Sequence, residues 1–171
     1  MSTANRGIAR AATLVLALLA LPPGALALEE DQNQPVYLEA DSAELDELKL
    51  ISIYRGNVFV KQGSTEIEGD VVTIHHYPDR RAKHVTAVGN PAKYRQAVEG
   101  EKEKVEAEAL RMEYAVEIDE ITLIDQALLY QGKDTFRSDR IVYDRAKAQV
   151  KAGASVQGKE RVKILIDPSR R

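Results

Sequence analysis

One strand–turn–strand unit recurs along the chain, and this repetition limits the folds that are available to it. The clearest copy spans residues 51–74, where two runs rich in β-branched and aromatic residues flank Gln62-Gly63-Ser64. Such a pattern is typical of a β-hairpin with a glycine-containing turn. The copies align on four apolar anchors, each followed three positions later by an acid: Leu38 with Asp41, Ile67 with Asp70, Val105 with Glu108, and Phe136 with Asp139.

The apolar residues change phase beyond these acids. Val105 and Ala107 are odd-numbered, whereas Leu110, Met112 and Tyr114 are even-numbered. A strand that switches its apolar face without a turn contains a bulge or a corner. We therefore expect each repeat to bend where its acid lies, and we interpret the acids as caps of these bends rather than as Ca²⁺ ligands.

A second recurring landmark begins at Gly56-Asn57, Gly89-Asn90 and Asp125-Gln126, and more weakly at Gly153-Ala154. The unequal spacings indicate hairpin-sized repeats with loops of variable length. We interpret Gly56-Asn57 and Gly63 as turn residues. Asp125 stands where the other landmarks have glycine, which leaves the geometry of that turn open.

Further strands are predicted at residues 36–40, where apolar and polar residues alternate, and at residues 162–166, which Asp167-Pro168 ends. Residues 105–114 contain many helix formers, but their alignment with the repeat favours a strand. Residues 77–81 and 96–104 read as a turn and a solvated loop. Many short strands without a long helix predict an all-β, single-domain antiparallel sandwich, jelly roll or open roll.

The first 27 residues have the pattern of a secretory signal peptide. Arg6 and Arg10 precede an apolar run at residues 11–21, and Ala25-Leu26-Ala27 matches a cleavage site. We expect cleavage after Ala27, with an uncleaved membrane anchor as the alternative. The remaining residues, 28–171, have the length of one domain. The chain has no cysteine and a formal net charge of −3, which excludes disulfides and gives no support for a nucleic-acid partner.

Catalytic and metal-binding patterns are weak. His75 and His76 are adjacent, so on a strand they point to opposite faces and cannot readily chelate one ion. No nucleophile elbow, phosphate loop or Ser-His-Asp order is present. We therefore expect no enzymatic activity, no metal and no cofactor.

Four segments, taken in order, resemble a known family. They are residues 34–41 (Gln-Pro-Val-Tyr-Leu-Glu-Ala-Asp), 56–63 (Gly-Asn-Val-Phe-Val-Lys-Gln-Gly), 89–92 (Gly-Asn-Pro-Ala) and 136–143 (Phe-Arg-Ser-Asp-Arg-Ile-Val-Tyr). Together with the signal peptide they are similar to the LptA family of periplasmic lipopolysaccharide export proteins, also called the OstA-like or organic-solvent-tolerance family. The resemblance implies an open, V-shaped β-jellyroll over residues 28–171 that carries the lipid A acyl chains of lipopolysaccharide in its apolar interior.

The resemblance and the alternation of apolar residues together predict the lining of a lipid groove. The family's lipid-facing positions fall here on Val36, Leu38, Tyr94, Tyr114 and Val116. The alternation adds further inward positions: Ile53, Val58, Val60, Ile67, Ile74, Leu110 and Met112. Because burial contributes roughly 0.8 kcal/mol per methylene, a groove open along one side would hold acyl chains reversibly.

The two outermost strands predict partner edges. One edge comprises Val36, Tyr37 and Leu38, and the other comprises Val162, Ile164 and Ile166. Unpaired backbone groups at such edges favour strand addition, and two unlike edges give open-ended, heterologous assembly. The resemblance implies an inner-membrane anchored partner at the first edge, an outer-membrane assembly protein at the second, and end-to-end self-association. The alternative hypothesis is a structural or adhesive secreted β-repeat protein without lipid cargo.

Overall fold

The computed structural model describes residue 31 and residues 33–97, 104–153 and 161–168. The predicted signal peptide, most of the 96–104 loop and most of the weak landmark after Gly153 lie outside these residues. The ten strands are β1 (Val36–Glu39), β2 (Ser42–Asp46), β3 (Ile51–Gln62), β4 (Thr65–His76), β5 (Ala82–Ala97), β6 (Lys104–Ala115), β7 (Glu120–Gln131), β8 (Asp134–Asp144), β9 (Gln149–Ala152) and β10 (Lys163–Leu165).

All ten strands belong to one antiparallel sheet in the order β1-β3-β4-β5-β6-β7-β8-β10. The short strand β2 pairs with the first part of β3, and β9 pairs with the last part of β8. The hairpin predicted from residues 51–74 is β3 and β4, joined at Gly63 with a φ of 56°. The strand prediction for residues 105–114 and the all-β, jellyroll-like prediction are confirmed. Among the described residues, no helix has the length and apolar character to cross a membrane.

A line of ladder irregularities, which we call the crease, crosses the sheet at one level. Register shifts occur between Arg55 and Val58, Glu68 and Val71, Val88 and Ala92, Glu108 and Arg111, and Ile124 and Ala127. Asp70 and Asp139 lie within these shifts, and Asp41 lies between β1 and β2. The predicted phase change is therefore confirmed at Asp70 and Asp139, whereas on β6 the register shift begins after Glu108.

The crease requires unusual backbone at its two most distorted points. Gly56 and Asn57 have φ values of 79° and 45° inside β3, so they form a bulge, and their interpretation as a turn was wrong. Asp125 and Gln126 adopt φ values of 61° and 53° inside β7 without any glycine. The acid Asp41 caps the bulge, because its carboxylate accepts a hydrogen bond of 2.9 Å from Asn57 Nδ2.

The crease divides the sheet into two parts that we name by their first strands. The β1 half comprises residues 36–39, 58–69, 92–97, 104–109, 127–138 and 163–165, and the β2 half comprises residues 42–55, 71–88, 111–124 and 140–152. Side chains from both halves form a single core cluster. The two halves therefore pack face to face, as the two layers of a jelly roll do.

Inward side chains of neighbouring strands form rows across the sheet, and three of these rows lie at the crease and on either side of it. The β1 half contributes Leu38, Val60, Ile67, Tyr94, Ala107, Leu129 and Phe136. The β2 half contributes Tyr54, Val72, Ala87, Met112, Leu123, Ile141 and Ala152. Between them, the crease carries smaller residues: Val58, Gly69, Ala92, Ala109, Ala127 and Ser138. Neighbouring strands approach closely at the crease, since a Cβ added to Gly69 would lie 2.9 Å from the carbonyl oxygen of Val88.

Candidate functional site

A cavity of about 390 Å³ lies between the two halves of the sheet. Its apolar walls come from the β1 half through Val36, Val60 and Ile67, and from the β2 half and its adjoining turns through Ile74, Ala82, Val85, Tyr114 and Val116. A smaller void of about 10 Å³ shares Ile67, Val85 and Tyr114 and adds Ala87, Tyr94, Met112 and Ile121. The sheet therefore holds an apolar trough that narrows toward its packed interior.

A second cavity of about 400 Å³ opens near the β2 edge of the sheet. Leu45, Ser52 and Tyr54 line it, and Arg80 lines both this cavity and the first one. These two cavities therefore both have walls from the amino-terminal strands.

The structure brings most of the predicted groove residues together. The cavity between the two halves is lined by Val36, Val60, Ile67, Ile74, Tyr114 and Val116, and the small void beside it by Ile67, Tyr94, Met112 and Tyr114. Val58 is buried at the crease, and Leu38 packs against the core cluster. Their contact with lipid stays a prediction, but their placement on one inner surface is a property of the fold.

Two of the predicted lining residues were placed wrongly. Ile53 pairs with Glu44 and Thr73 on the outer face, because the inward residues of β3 beside it are Ser52 and Tyr54. Leu110 lies within the register shift that follows Glu108 and belongs to neither cavity lining nor to the core cluster.

The error at Leu110 has a specific cause. Ala109 is fully buried on the inner face, so the face of β6 switches only after this residue. The parity change between Ala107 and Leu110 predicts that the inward face changes at Glu108, which is one residue too early.

A buried arginine completes the cavity wall, and no sequence pattern had identified it. Arg145 follows β8, and its side chain is 4% exposed. Its Nη1 lies 3.3 Å from Asp119 Oδ1 and donates to the Tyr114 hydroxyl at 3.2 Å, while Nη2 donates to Thr65 Oγ1 at 3.4 Å. Because Thr65 begins β4 in the β1 half and Arg145 follows the β2 half, this side chain joins the two halves across the cavity.

The phenols beside Arg145 remain protonated at neutral pH. Burial raises the pKa of Tyr94 and of Tyr114 above the ordinary tyrosine value. Burial alone would lower the pKa of Arg145, but the nearby Tyr94, Tyr114 and Asp119 outweigh this effect and raise it. The Tyr114 hydroxyl consequently acts as a donor, to Asp119 Oδ1 at 2.8 Å, and the guanidinium keeps its charge.

The charged residues that line the cavity between the two halves are predominantly cationic. They are Arg80, Arg81, Arg145 and a single acid, Asp31. Asp31 is already engaged, since Oδ1 accepts from the backbone N–H of Ser64 at 2.8 Å and Oδ2 accepts from the Ser64 hydroxyl. A cationic lining in a chain of net charge −3 makes the cavity electrostatically different from the rest of the molecule.

The histidines are not gathered into a site. His75 faces His84 on the neighbouring strand with ring centroids 6.3 Å apart, whereas His76 Nε2 lies 2.9 Å from Ser52 Oγ. Within the described ranges, no three His, Cys, Asp or Glu side chains are grouped to hold a metal ion.

The predicted partner edges coincide with the ends of the sheet. β1 and β10 are the outermost strands of the sheet order. The first edge exposes Val36 and Tyr37, whereas Leu38 is half-buried, and the second exposes Val162, Ile164 and Ile166 together with Leu165. Both edges thus present apolar side chains beside strand backbone that has no further strand partner among the described residues.

Comparison with known proteins identifies the family. Residues 37–149 match the model of the LptA/(LptD N-terminal domain) LPS transport protein. The lipopolysaccharide export system protein LptH of Pseudomonas aeruginosa is 38% identical over 152 residues, which cover 86% of this chain and 87% of that protein. Its counterpart LptA of Escherichia coli K12 is 34% identical over 156 residues, which cover 90% of this chain and 83% of that one.

The fold agrees with the same assignment. The crystal structure of LptH, described as the LptA-homologous periplasmic component of the lipopolysaccharide transport device of P. aeruginosa, superposes with a TM-score of 0.76 at 37% identity. The match covers 81% of this chain and 99% of LptH. The chain therefore belongs to the LptA/(LptD N-terminal domain) family of LPS transport proteins.

Proposed function

We propose that this protein is a periplasmic lipopolysaccharide-binding transport protein that bridges the inner and outer membranes. The observation that carries the proposal is the apolar cavity between the two halves of the sheet, in a chain whose family and similar relatives are lipopolysaccharide export proteins. The lipid A acyl chains would lie against the cavity walls, and the sugars would remain in water. No catalytic step is part of this function.

The geometry suits a carrier that must release its cargo. Complete enclosure of several acyl chains would stabilise the complex by roughly 0.8 kcal/mol for each buried methylene, which would make release slow. The cavity instead opens to solvent beside Val36 at the sheet edge, between the two halves of the sheet. Each acyl chain is then shielded only in part.

The sheet edges suit transfer between molecules. A second copy could add its β10 edge to the β1 edge of the first, which would bring the two inner surfaces into line. Because the edges differ, such pairing continues without closure. An inner-membrane anchored partner would occupy the free β1 edge, and an outer-membrane assembly protein would occupy the free β10 edge. Open-ended growth in sedimentation velocity as concentration rises would support this assembly, and a strict monomer at high concentration would exclude it.

Site-specific photo-crosslinking tests the cargo. A photoreactive amino acid at Tyr114 or Val116 lies in the cavity wall, whereas one at Ile53 lies on the outer face of the same sheet half. With purified lipopolysaccharide, we expect labelling at Tyr114 and Val116 and none above background at Ile53. Equal labelling at all three positions, or none at any of them in a folded protein, would contradict the proposal. The second outcome would favour the structural or adhesive alternative.

A further inference from the structure

The cavity between the two halves of the sheet combines an apolar interior with three arginines, and this combination points to an amphiphilic ligand of defined charge. Arg80 and Arg81 lie in the turn between β4 and β5, and Arg145 lies in the turn after β8. Apolar walls alone would accommodate any acyl chain. Three guanidinium groups in the lining of one cavity instead favour a ligand that carries a polyvalent oxyanion next to its apolar part.

Arg145 has capacity for a further acceptor. Its guanidinium has five N–H donors, and the protein contacts described above use only Nη1 and Nη2. The Nε atom is buried and has no hydrogen-bond partner among the described residues. A buried donor left without a partner costs roughly 1–3 kcal/mol, so an oxyanion that approaches this group would remove a penalty that the unliganded protein carries.

Arg80 and Arg81 are available to move toward such a ligand. Arg80 Nη2 lies 2.8 Å from Glu47 Oε1, and Arg81 Nε lies 2.7 Å from Asp79 Oδ2, but both arginines are more than three-quarters exposed in these pairs. Exposed ion pairs contribute roughly 0–1 kcal/mol. An oxyanion whose apolar part is held in the cavity can therefore replace the carboxylates as a partner.

We infer that Arg80, Arg81 and Arg145 form a subsite for a phosphate monoester on the amphiphile whose acyl chains occupy the cavity. A phosphate group carries about −1.5 to −2 charges at neutral pH and presents three acceptor oxygens, which suits several arginines better than a carboxylate does. This inference rests on the proposed function, because it assumes that acyl chains fill the apolar part of the cavity.

Two amphiphiles with the same twelve-carbon chain test the subsite. Binding of dodecyl phosphate and of neutral dodecyl maltoside is measured by calorimetry below their micelle concentrations. We expect dodecyl phosphate to bind at least about ten-fold more tightly, because one charge-assisted hydrogen bond corresponds to about that factor. The Arg80→Gln/Arg81→Gln variant should lose most of this preference while its affinity for dodecyl maltoside stays unchanged.

A matched control removes the same charge elsewhere. Arg55 and Arg95 also form ion pairs, with Glu44 and Glu68, on the outer face of the sheet. The Arg55→Gln/Arg95→Gln variant should keep the full preference for dodecyl phosphate. If it loses the preference to the same extent, the effect comes from net charge and the subsite does not exist. The Arg145→Gln variant, checked for an unchanged circular dichroism spectrum, should reduce the preference further.

The remaining outcomes separate the two proposals. Equal binding of both amphiphiles by the unaltered protein would overturn the subsite and leave the lipid cavity intact. If neither amphiphile binds, the proposed function is overturned, and the subsite with it. If inorganic phosphate competes as well as dodecyl phosphate, the arginines bind free phosphate and the amphiphile assignment is wrong.

Discussion

The two ends of the sheet share one architecture but have different interiors. Near β7 and β8 the inward rows carry Leu123, Leu129 and Ile141, whose side chains are at most 1% exposed. Near β1 to β4 the same rows carry Val60 and Ile67 as cavity walls. Both ends have alternating inward and outward residues, and the crease crosses both. These two features alone therefore do not determine whether the interior is filled. The difference is whether the opposite half of the sheet fills the space over these residues, and it separates a filled core from an open cavity.

The largest change in the free energy of unfolding is expected at Arg145, which joins the two halves of the sheet. Arg145→Met removes one member of a buried ion pair and leaves Asp119, whose side chain is 11% exposed, without its cation. Loss of one partner from a buried pair costs about 3–5 kcal/mol, which urea denaturation would measure as a lower free energy of unfolding. The double variant Arg145→Met/Asp119→Asn should recover part of this loss. A single variant within about 1 kcal/mol of the parent would show that the pair is effectively solvated.

A pair of truncations compares the two interiors directly. Leu123→Ala creates a cavity in a filled region and should lower the free energy of unfolding by about 2–5 kcal/mol. Ile67→Ala enlarges a space that is already open, so its cost should be about 1 kcal/mol, in keeping with partial burial. Lipid crosslinking at Tyr114 should fall for Ile67→Ala and stay unchanged for Leu123→Ala. Equal costs for both truncations would mean that the β1 end is as tightly filled as the β8 end.

Sequence patterns located the crease well because its signal is local. The parity changes around Asp70 and Asp139 predict inward faces that the ladders confirm. The errors at Ile53 and Leu110 arise within two or three residues of a bulge, where one extra residue reverses the face of every position beyond it. Predictions of the inward face from odd and even residue numbers are therefore least accurate close to a bulge.

Arg145 lay beyond the reach of sequence patterns for a different reason. It stands in an ordinary charged turn, and its partner Thr65 is 80 positions away in the chain. Only the packing of the two halves against each other makes this arginine part of the cavity wall. Contacts of this kind depend on tertiary structure, which periodicity does not encode.

Two residues with left-handed backbone at the crease, one near each end of the sheet, allow the ends to be compared with a smaller expected effect on stability. Gly56 lies near the β1 end with a φ of 79°, and a Cβ placed there would lie 2.2 Å from Asp41 Oδ2. Gly56→Ala should therefore lower the free energy of unfolding by at least roughly 1–2 kcal/mol, because a residue with a side chain loses about that much in a left-handed backbone conformation. At the β7 end, Asp125 already bears this cost at a φ of 61°, so Asp125→Gly should change the free energy of unfolding by less than about 1 kcal/mol. Equal losses in chemical denaturation would contradict this distinction.

The smallest effect is expected at two turns of matching chemistry, one at each end. Asp46 accepts from the backbone N–H and Nζ of Lys49 at 2.9 and 2.7 Å, and Asp144 accepts from the same groups of Lys147 at 3.0 and 2.7 Å. The lysine hydrogen bonds lower the pKa of both carboxyls. A lowered pKa contributes stability above the unfolded-state value, near 3.8 for aspartate, and this stability is lost as pH falls through the folded-state pKa.

Asp46→Asn and Asp144→Asn should each reduce the loss of stability between neutral pH and pH 3, measured by thermal unfolding at each pH. The reduction should be larger for Asp144→Asn, because the Asp144 side chain is 13% exposed and the Asp46 side chain is 32% exposed, and solvent screens the more exposed pair more strongly. Equal pH dependence in the two variants would mean that the turns at the open and filled ends experience the same environment. The contrast between the two ends would then be confined to the inner face of the sheet.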